Sequence, residues 1–178
     1  VKVLRAVRPF ESNAIVRGQY RGNRAEQGVD PHSQTETFVA LRLQGDSWRW
    51  GGVPIHVRAG KSLPVTATEV IATLTRPPLR IFDEKPAIAT NYLRFRLGPE
   101  RMEIALGARA KNAGEGMTGR GVELSVCSLE AEFLTPYERL IGDAKGGEPA
   151  LFGRQDGVGA GWGMVDGLLG CAPQVEFY

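Results

Sequence analysis

The run best suited to chemistry in this 178-residue chain is Arg58-Ala59-Gly60-Lys61-Ser62. Gly-Lys-Ser closes a phosphate-binding P-loop, where backbone amides and the lysine cradle phosphate oxygens. The rest of that motif is missing. A P-loop requires glycine five residues before Gly60, where Ile55 stands, and Leu63-Pro64 is a poor start for a helix whose N-terminus would face the anion. What survives is a glycine that lets a strand end turn sharply, flanked by Arg58 and Lys61. Such a pair can hold a phosphate, because Arg offers a planar fork and Lys a point charge. On these residues alone, a solvated strand terminus is the plainer reading.

Other candidates carry less. Gly157, Gly159, Gly161 and Gly163 alternate, but a G-x-G-x-x-G fingerprint would need glycine at Trp162 and a strand before it, so they read as a flexible loop. His56 alternates away from Val53, Ile55 and Val57, and His32 lies in the turn-prone Asp30-Pro31-His32-Ser33. Neither has a carboxylate partner in sequence, which makes each a weak general base. Arg94 and Arg96 share a strand face with Tyr92, and pairing with Glu103 or Glu123 would make them cross-strand ion pairs. Cys127 and Cys171 lack CxxC spacing, and with only two histidines they do not compose a zinc site or a disulfide framework, so no metal is expected.

The elements that must position these residues are mostly strands. Thr37 to Leu43 is rich in β-formers; Val53, Ile55 and Val57 alternate with Pro54, His56 and Arg58 after a turn at Trp48 to Gly52. The same period returns at Val70, Ala72 and Leu74, at Leu93, Phe95 and Leu97, at Met102, Ile104 and Leu106 beyond a Gly98-Pro99-Glu100 turn, and at Val122, Leu124 and Val126. About six strands with several hairpin-length connections predict a large, mainly antiparallel open sheet. Thr135-Pro136-Tyr137-Glu138 is a capping box with proline at the first helical position, and Gly146-Gly147 ends the helix it starts. A second helical period, Trp162, Val165, Leu168 and Leu169, contains three nearby glycines and predicts a short or poorly ordered helix. Neither repeats nor a linker interrupt this pattern, so residues 1–178 read as a single α+β domain with helices packed on one face of the sheet.

Composition bounds the function. With 42% hydrophobic and 24% charged residues the chain has the balance of an ordinary soluble domain, and 22 Lys+Arg against 20 Asp+Glu give a formal net charge of only +2, too little for nucleic-acid binding. No stretch approaches the roughly 20 apolar residues of a membrane span, and the first residues lack the apolar block of a secretory signal, so a cytoplasmic location is expected. Val1 in place of an initiating Met suggests a piece of something longer.

Several runs together resemble the C-terminal domain of bacterial-type glucose-6-phosphate dehydrogenase. They are Gly18-Gln19-Tyr20, Thr35-Glu36-Thr37-Phe38, Trp48 to Ile55 leading into Arg58-Ala59-Gly60-Lys61, Asn91 to Arg96, Gly98-Pro99, and Pro136 to Asp143, with Phe152 and Trp162. Their order and spacing agree with the family over nearly the whole chain, and Leu63 to Val70 is more similar to bacterial than to animal members. Val1-Lys2-Val3-Leu4 resembles the end of a family helix.

The resemblance implies an oxidoreductase of the pentose phosphate pathway, passing a hydride from C1 of glucose 6-phosphate to NADP and yielding 6-phosphogluconolactone. Such chemistry needs a base for the C1 hydroxyl proton and a site for nicotinamide. In the family both come from the N-terminal half, whose Gly-rich loop and Asp-His motif have no counterpart in these residues. The resemblance therefore implies that NADP is bound mainly by an N-terminal domain absent from this chain, that no catalytic residue lies here, and that the isolated chain is inactive. Lys61 matches the family's substrate-binding lysine. Arg58 and Arg96 match positions that touch a second, structural NADP in animal enzymes, and Thr66 stands where members often carry another basic substrate contact. That replacement leaves the substrate contact partial, and the Tyr and Lys that support a structural NADP in the family are replaced near Glu103 and Ala105, which argues against that second site. The family also implies a homodimer formed through the sheet. The rival expectation is a non-catalytic assembly or regulatory module that keeps the sheet alone.

Overall fold

In a computed structural model, residues 1–8, 14–76, 78–79, 90–98, 101–111, 118–128, 135–169 and 175–178 are described. The alternating segments become strands: β2 (Phe38–Leu43), β3 (Ile55–Gly60), β4 (Thr68–Thr73), β5 (Tyr92–Gly98), β6 (Met102–Lys111) and β7 (Gly119–Ser128). Two more strands join them, β1 (Ile15–Gln19) and the short β8 (Glu176–Phe177), along with helices α1 (Lys2–Arg5), α2 (Pro136–Gly146) and α3 (Gln155–Leu169). The α+β, mainly antiparallel character stands, with the strands distributed over two four-stranded sheets. The turn at Gly98-Pro99-Glu100 lies partly outside the described residues, and Cys171 wholly so.

One unit comprises residues 1–63 and 139–178, the other residues 64–138. The first holds the sheet β3-β2-β1-β8, antiparallel except where β8 runs parallel to β1. Register places Leu41 opposite both Ile15 and Val57, and Leu43 opposite Ile55, so one face carries an aliphatic row. At the end of β1, Gln19 is fully buried and its amide is consumed: Nε2 donates to the carbonyls of Thr35 at 2.7 Å and Ser33 at 3.1 Å, and Oε1 accepts from Arg24. A buried amide without such partners would cost stability, so these bonds fix the loop before β2. The Arg24 guanidinium also lies over the Phe177 ring at 4.7 Å.

The second sheet, β4-β5-β6-β7, is antiparallel throughout. Its period-two alternation sorts chemistry by face. Val70, Phe95, Ile104 and Val126 form one row across it, and Ala72, Leu93, Leu106 and Leu124 the next, all on one side. Glu69, Arg96 and Glu103 form a row on the other side, as do Thr73, Tyr92, Gly107 and Glu123.

α2 begins as its sequence dictates. The Thr135 amide donates to Glu138 Oε2 at 2.8 Å and the Glu138 amide to Thr135 Oγ1 at 3.3 Å, closing the capping box. It ends in a Schellman turn: Gly147, at φ 70°, donates to Ala144 O, and Glu148 to Asp143 O at 2.9 Å. The glycine-rich segment departs from expectation. Instead of a loop or a short helix, Gln155–Leu169 is a 15-residue helix in contact with α1. Its partly buried positions, Gly157, Ala160, Gly161, Met164 and Val165, repeat at three and four residues, so the small residues lie along the helix's shielded stripe while Trp162 stays 57% exposed. Helix propensity is a weak prior against such a tertiary stripe, which is why the glycines misled.

Candidate functional site

β3 delivers the cationic run. Arg58 pairs with Ala40 and Gly60 with Phe38, and Lys61 follows the last strand residue. Gly60 has a different role from the one its sequence suggests. It has no positive φ, and a Cβ there would fall 2.7 Å from the Phe38 ring. The glycine admits that ring, and the sharp turn comes two residues later at Ser62, the one non-glycine described with positive φ, at 51°. Leucine and proline then follow, so no helix N-terminus faces the run.

The Lys61 backbone is held on both sides. Its amide donates to Thr37 O at 2.8 Å, and its carbonyl accepts from the Tyr178 hydroxyl at 2.8 Å. The side chains of Lys61 and Arg58 are exposed, and among the described residues neither is engaged in an ion pair. An ammonium on a fixed backbone, with no described carboxylate neutralising it, is free to donate to an anionic oxygen.

Thr66 and Arg96 belong to the second unit, and only their own surroundings bear on them. Thr66 is exposed ahead of β4. Arg96 lies 3.7 Å from Glu69, and Arg94 contacts Glu123 at 2.7 Å, Glu103 at 2.8 Å and Glu69 at 3.6 Å. Arg101 adds a contact to Glu103 at 3.2 Å, and the Tyr92 hydroxyl donates to Glu123. The expected pairs with Glu103 and Glu123 therefore form for Arg94, whereas Arg96 lies near Glu69 instead. The Tyr92 hydroxyl and then the Arg94 guanidinium hold the Glu123 carboxyl below the usual range, and the same Glu123 contact raises Arg94. Glu69, Glu103 and Glu123 engage these arginines, and Arg96 Nε is buried without a hydrogen-bond partner among the described residues.

Among the described residues, neither histidine side chain has a carboxylate partner. His56 is exposed on β3, and the His32 backbone amide donates to Asp30 Oδ1 at 2.7 Å, an Asx turn. Sequence reasoning did not single out Tyr178. Its hydroxyl meets Lys61 O 117 positions away and Thr37 Oγ1 141 positions away, a separation that leaves no local pattern to read.

An α+β domain with an anion-suited strand end is thus defined. The family model for glucose-6-phosphate dehydrogenase, C-terminal domain, matches residues 1–178. Glucose-6-phosphate 1-dehydrogenase 1 of Mycobacterium tuberculosis is 37% identical over 180 residues, covering 99% of this chain and 38% of that protein. The glucose-6-phosphate 1-dehydrogenase of Aggregatibacter actinomycetemcomitans is 35% identical over 185 residues, covering 94% of this chain and 37% of its own length. The crystal structure of glucose-6-phosphate 1-dehydrogenase from Mycobacterium avium superposes with a TM-score of 0.86 at 36% identity, over 99% of this chain and 38% of that one. A glucose-6-phosphate dehydrogenase in complex with its substrate glucose-6-phosphate gives 0.81 at 30% identity, over 99% and 39%. The chain belongs to the glucose-6-phosphate dehydrogenase C-terminal domain family. It spans well under half the length of these relatives.

Proposed function

We propose that these residues serve as the C-terminal domain of an NADP-dependent glucose-6-phosphate 1-dehydrogenase, in which Lys61 binds glucose 6-phosphate. The observation that carries this is the Lys61 site itself, an exposed ammonium with no ion pair among the described residues, on a backbone bonded at both its amide and its carbonyl. The similarity to a substrate complex supports the choice of ligand. Arg58, Arg96 and Thr66 are secondary positions in this reading. NADP, bound mainly by an N-terminal domain, accepts the hydride; no structural NADP is assigned to this domain, and the enzyme works in the cytoplasm.

Homodimerisation belongs to the same reading. The aliphatic face of β4 to β7 leaves Ile104 58%, Leu124 66% and Val126 79% exposed, the kind of contiguous apolar surface that a second copy covers. Light scattering on the enzyme should report a dimer and Leu124→Glu a monomer; a wild-type monomer at high micromolar concentration removes this part.

A charge-assisted hydrogen bond from Lys61 to a substrate oxygen contributes about 1.5–3 kcal/mol. Lys61→Ala should lower kcat/KM for glucose 6-phosphate by roughly ten- to a hundredfold and leave the KM for NADP almost unchanged. A less than twofold change, or equal losses against both substrates, returns Lys61 to a solvated strand end.

A further inference from the structure

A chain of three hydrogen bonds reaches the Lys61 carbonyl from three other segments. The Tyr20 amide donates to Thr37 Oγ1 at 2.9 Å; Thr37 Oγ1 and the Tyr178 hydroxyl are 3.2 Å apart; and the Tyr178 hydroxyl donates to Lys61 O at 2.8 Å. The Tyr178 hydroxyl has one proton, and Lys61 O at 2.8 Å is a nearer acceptor than Thr37 O at 3.4 Å; with that proton on Lys61 O, Thr37 Oγ1 is the donor to the tyrosine. The tyrosine is itself fixed at three points. Its amide donates to Gln19 O at 3.2 Å, its carbonyl accepts from the Arg21 amide at 3.1 Å, and its ring stands edge-on to Phe38 with centroids 5.6 Å apart. A Cβ on Gly18 would come within 3.0 Å of that ring, so β1 is glycine where the tyrosine lies. Immediately beyond Lys61 the backbone enters the left-handed region at Ser62, a conformation that needs surrounding contacts to persist.

We infer that Tyr178 is a positioning residue for the substrate-binding lysine, its hydroxyl fixing the Lys61 carbonyl and so the origin of the ammonium-bearing side chain. This rests on the proposed role of Lys61. A positioning contact acts on substrate affinity through the lysine, whereas a residue that only docks β8 onto β1 would act on folding and on both substrates alike.

Tyr178→Phe keeps the ring and deletes the hydroxyl alone. In the dehydrogenase carrying this domain, it should lower kcat/KM for glucose 6-phosphate about three- to tenfold, chiefly through KM, and leave the KM for NADP within twofold. Combined with Lys61→Ala, it should add less than a twofold further loss, because the positioned group is gone. Amide exchange should show Lys61 N–H less protected in Tyr178→Phe, with the amides of residues 55–59 unchanged. An undiminished Tyr178→Phe effect in the Lys61→Ala background overturns the inference, as does wild-type kinetics in Tyr178→Phe while Lys61→Ala alone is impaired. General loss of protection across β2 and β3 also overturns it, marking Tyr178 as a folding residue. Wild-type kinetics in Lys61→Ala instead removes the parent reading, so the two failures are told apart by different variants.

Discussion

Glu123 shows how single contacts translate into pH dependence. The Tyr92 hydroxyl and the Arg94 guanidinium favour its charged form, so its folded pKa lies below the ordinary glutamate value. Around that ordinary value, about 4.3, the unfolded chain binds more protons than the folded one, and stability rises with pH. The contribution is therefore complete above about 4.3 and disappears as pH falls through the lower folded value. In Glu123→Gln it is missing at every pH. The melting temperature of the wild type should exceed that of Glu123→Gln near neutrality, and the two should converge on acidification below about pH 4.3. A gap that stays constant with pH contradicts this account. The cross-strand pairing of Arg94 was legible because β5 and β6 are a near-continuous hairpin in sequence, and alternation alone puts Tyr92, Arg94 and Arg96 on one face. Tyr178 and Thr37 were not legible as partners of Lys61, since the contact depends on how distant strands assemble.

At the scale of elements, six strands and the α2 caps follow from local rules. Their residues satisfy two periodicities and two hydrogen-bonded end motifs that need no tertiary knowledge. β1 and β8 were missed for physical reasons. Ile15–Gln19 carries Arg17 and Gly18 inside five residues, and Glu176–Phe177 is too short to show a period and gains its order by parallel pairing with β1. α3 was misjudged because glycine lowers helix propensity by about 1 kcal/mol per residue, whereas the shielded stripe is a property of the folded chain. Gly159 distinguishes the helix from the loop. It is exposed in the helix interior, and an added Cβ there would meet nothing within 4 Å. Gly159→Ala should stabilise the protein by about 0.5–1 kcal/mol in urea unfolding, by restricting the unfolded chain and favouring helix. No gain, or a loss, would argue that the segment is not helical in solution.

For the whole molecule, the proposed function gives this domain an anchoring share of the chemistry. Its strand end offers a fixed cation for an anionic oxygen, and the described residues supply no base paired with a carboxylate and no glycine-rich turn between strand and helix. Family membership covers residues 1–178, which correspond to 38% of the Mycobacterium tuberculosis relative. In the proposed reading, hydride transfer falls to groups outside residues 1–178, and binding of the sugar phosphate is shared with Lys61. The decisive measurement is glucose 6-phosphate-dependent NADP reduction, followed at 340 nm as about the wavelength where the reduced nicotinamide absorbs, by residues 1–178 alone and by the complete polypeptide that contains them. The isolated chain should give no turnover above a buffer blank, and the complete polypeptide should turn over and lose most of that activity on Lys61→Ala. Turnover by the isolated chain, or a folded complete polypeptide that dimerises and reduces no NADP, would contradict the account, the latter in favour of an assembly module that retains only the sheet.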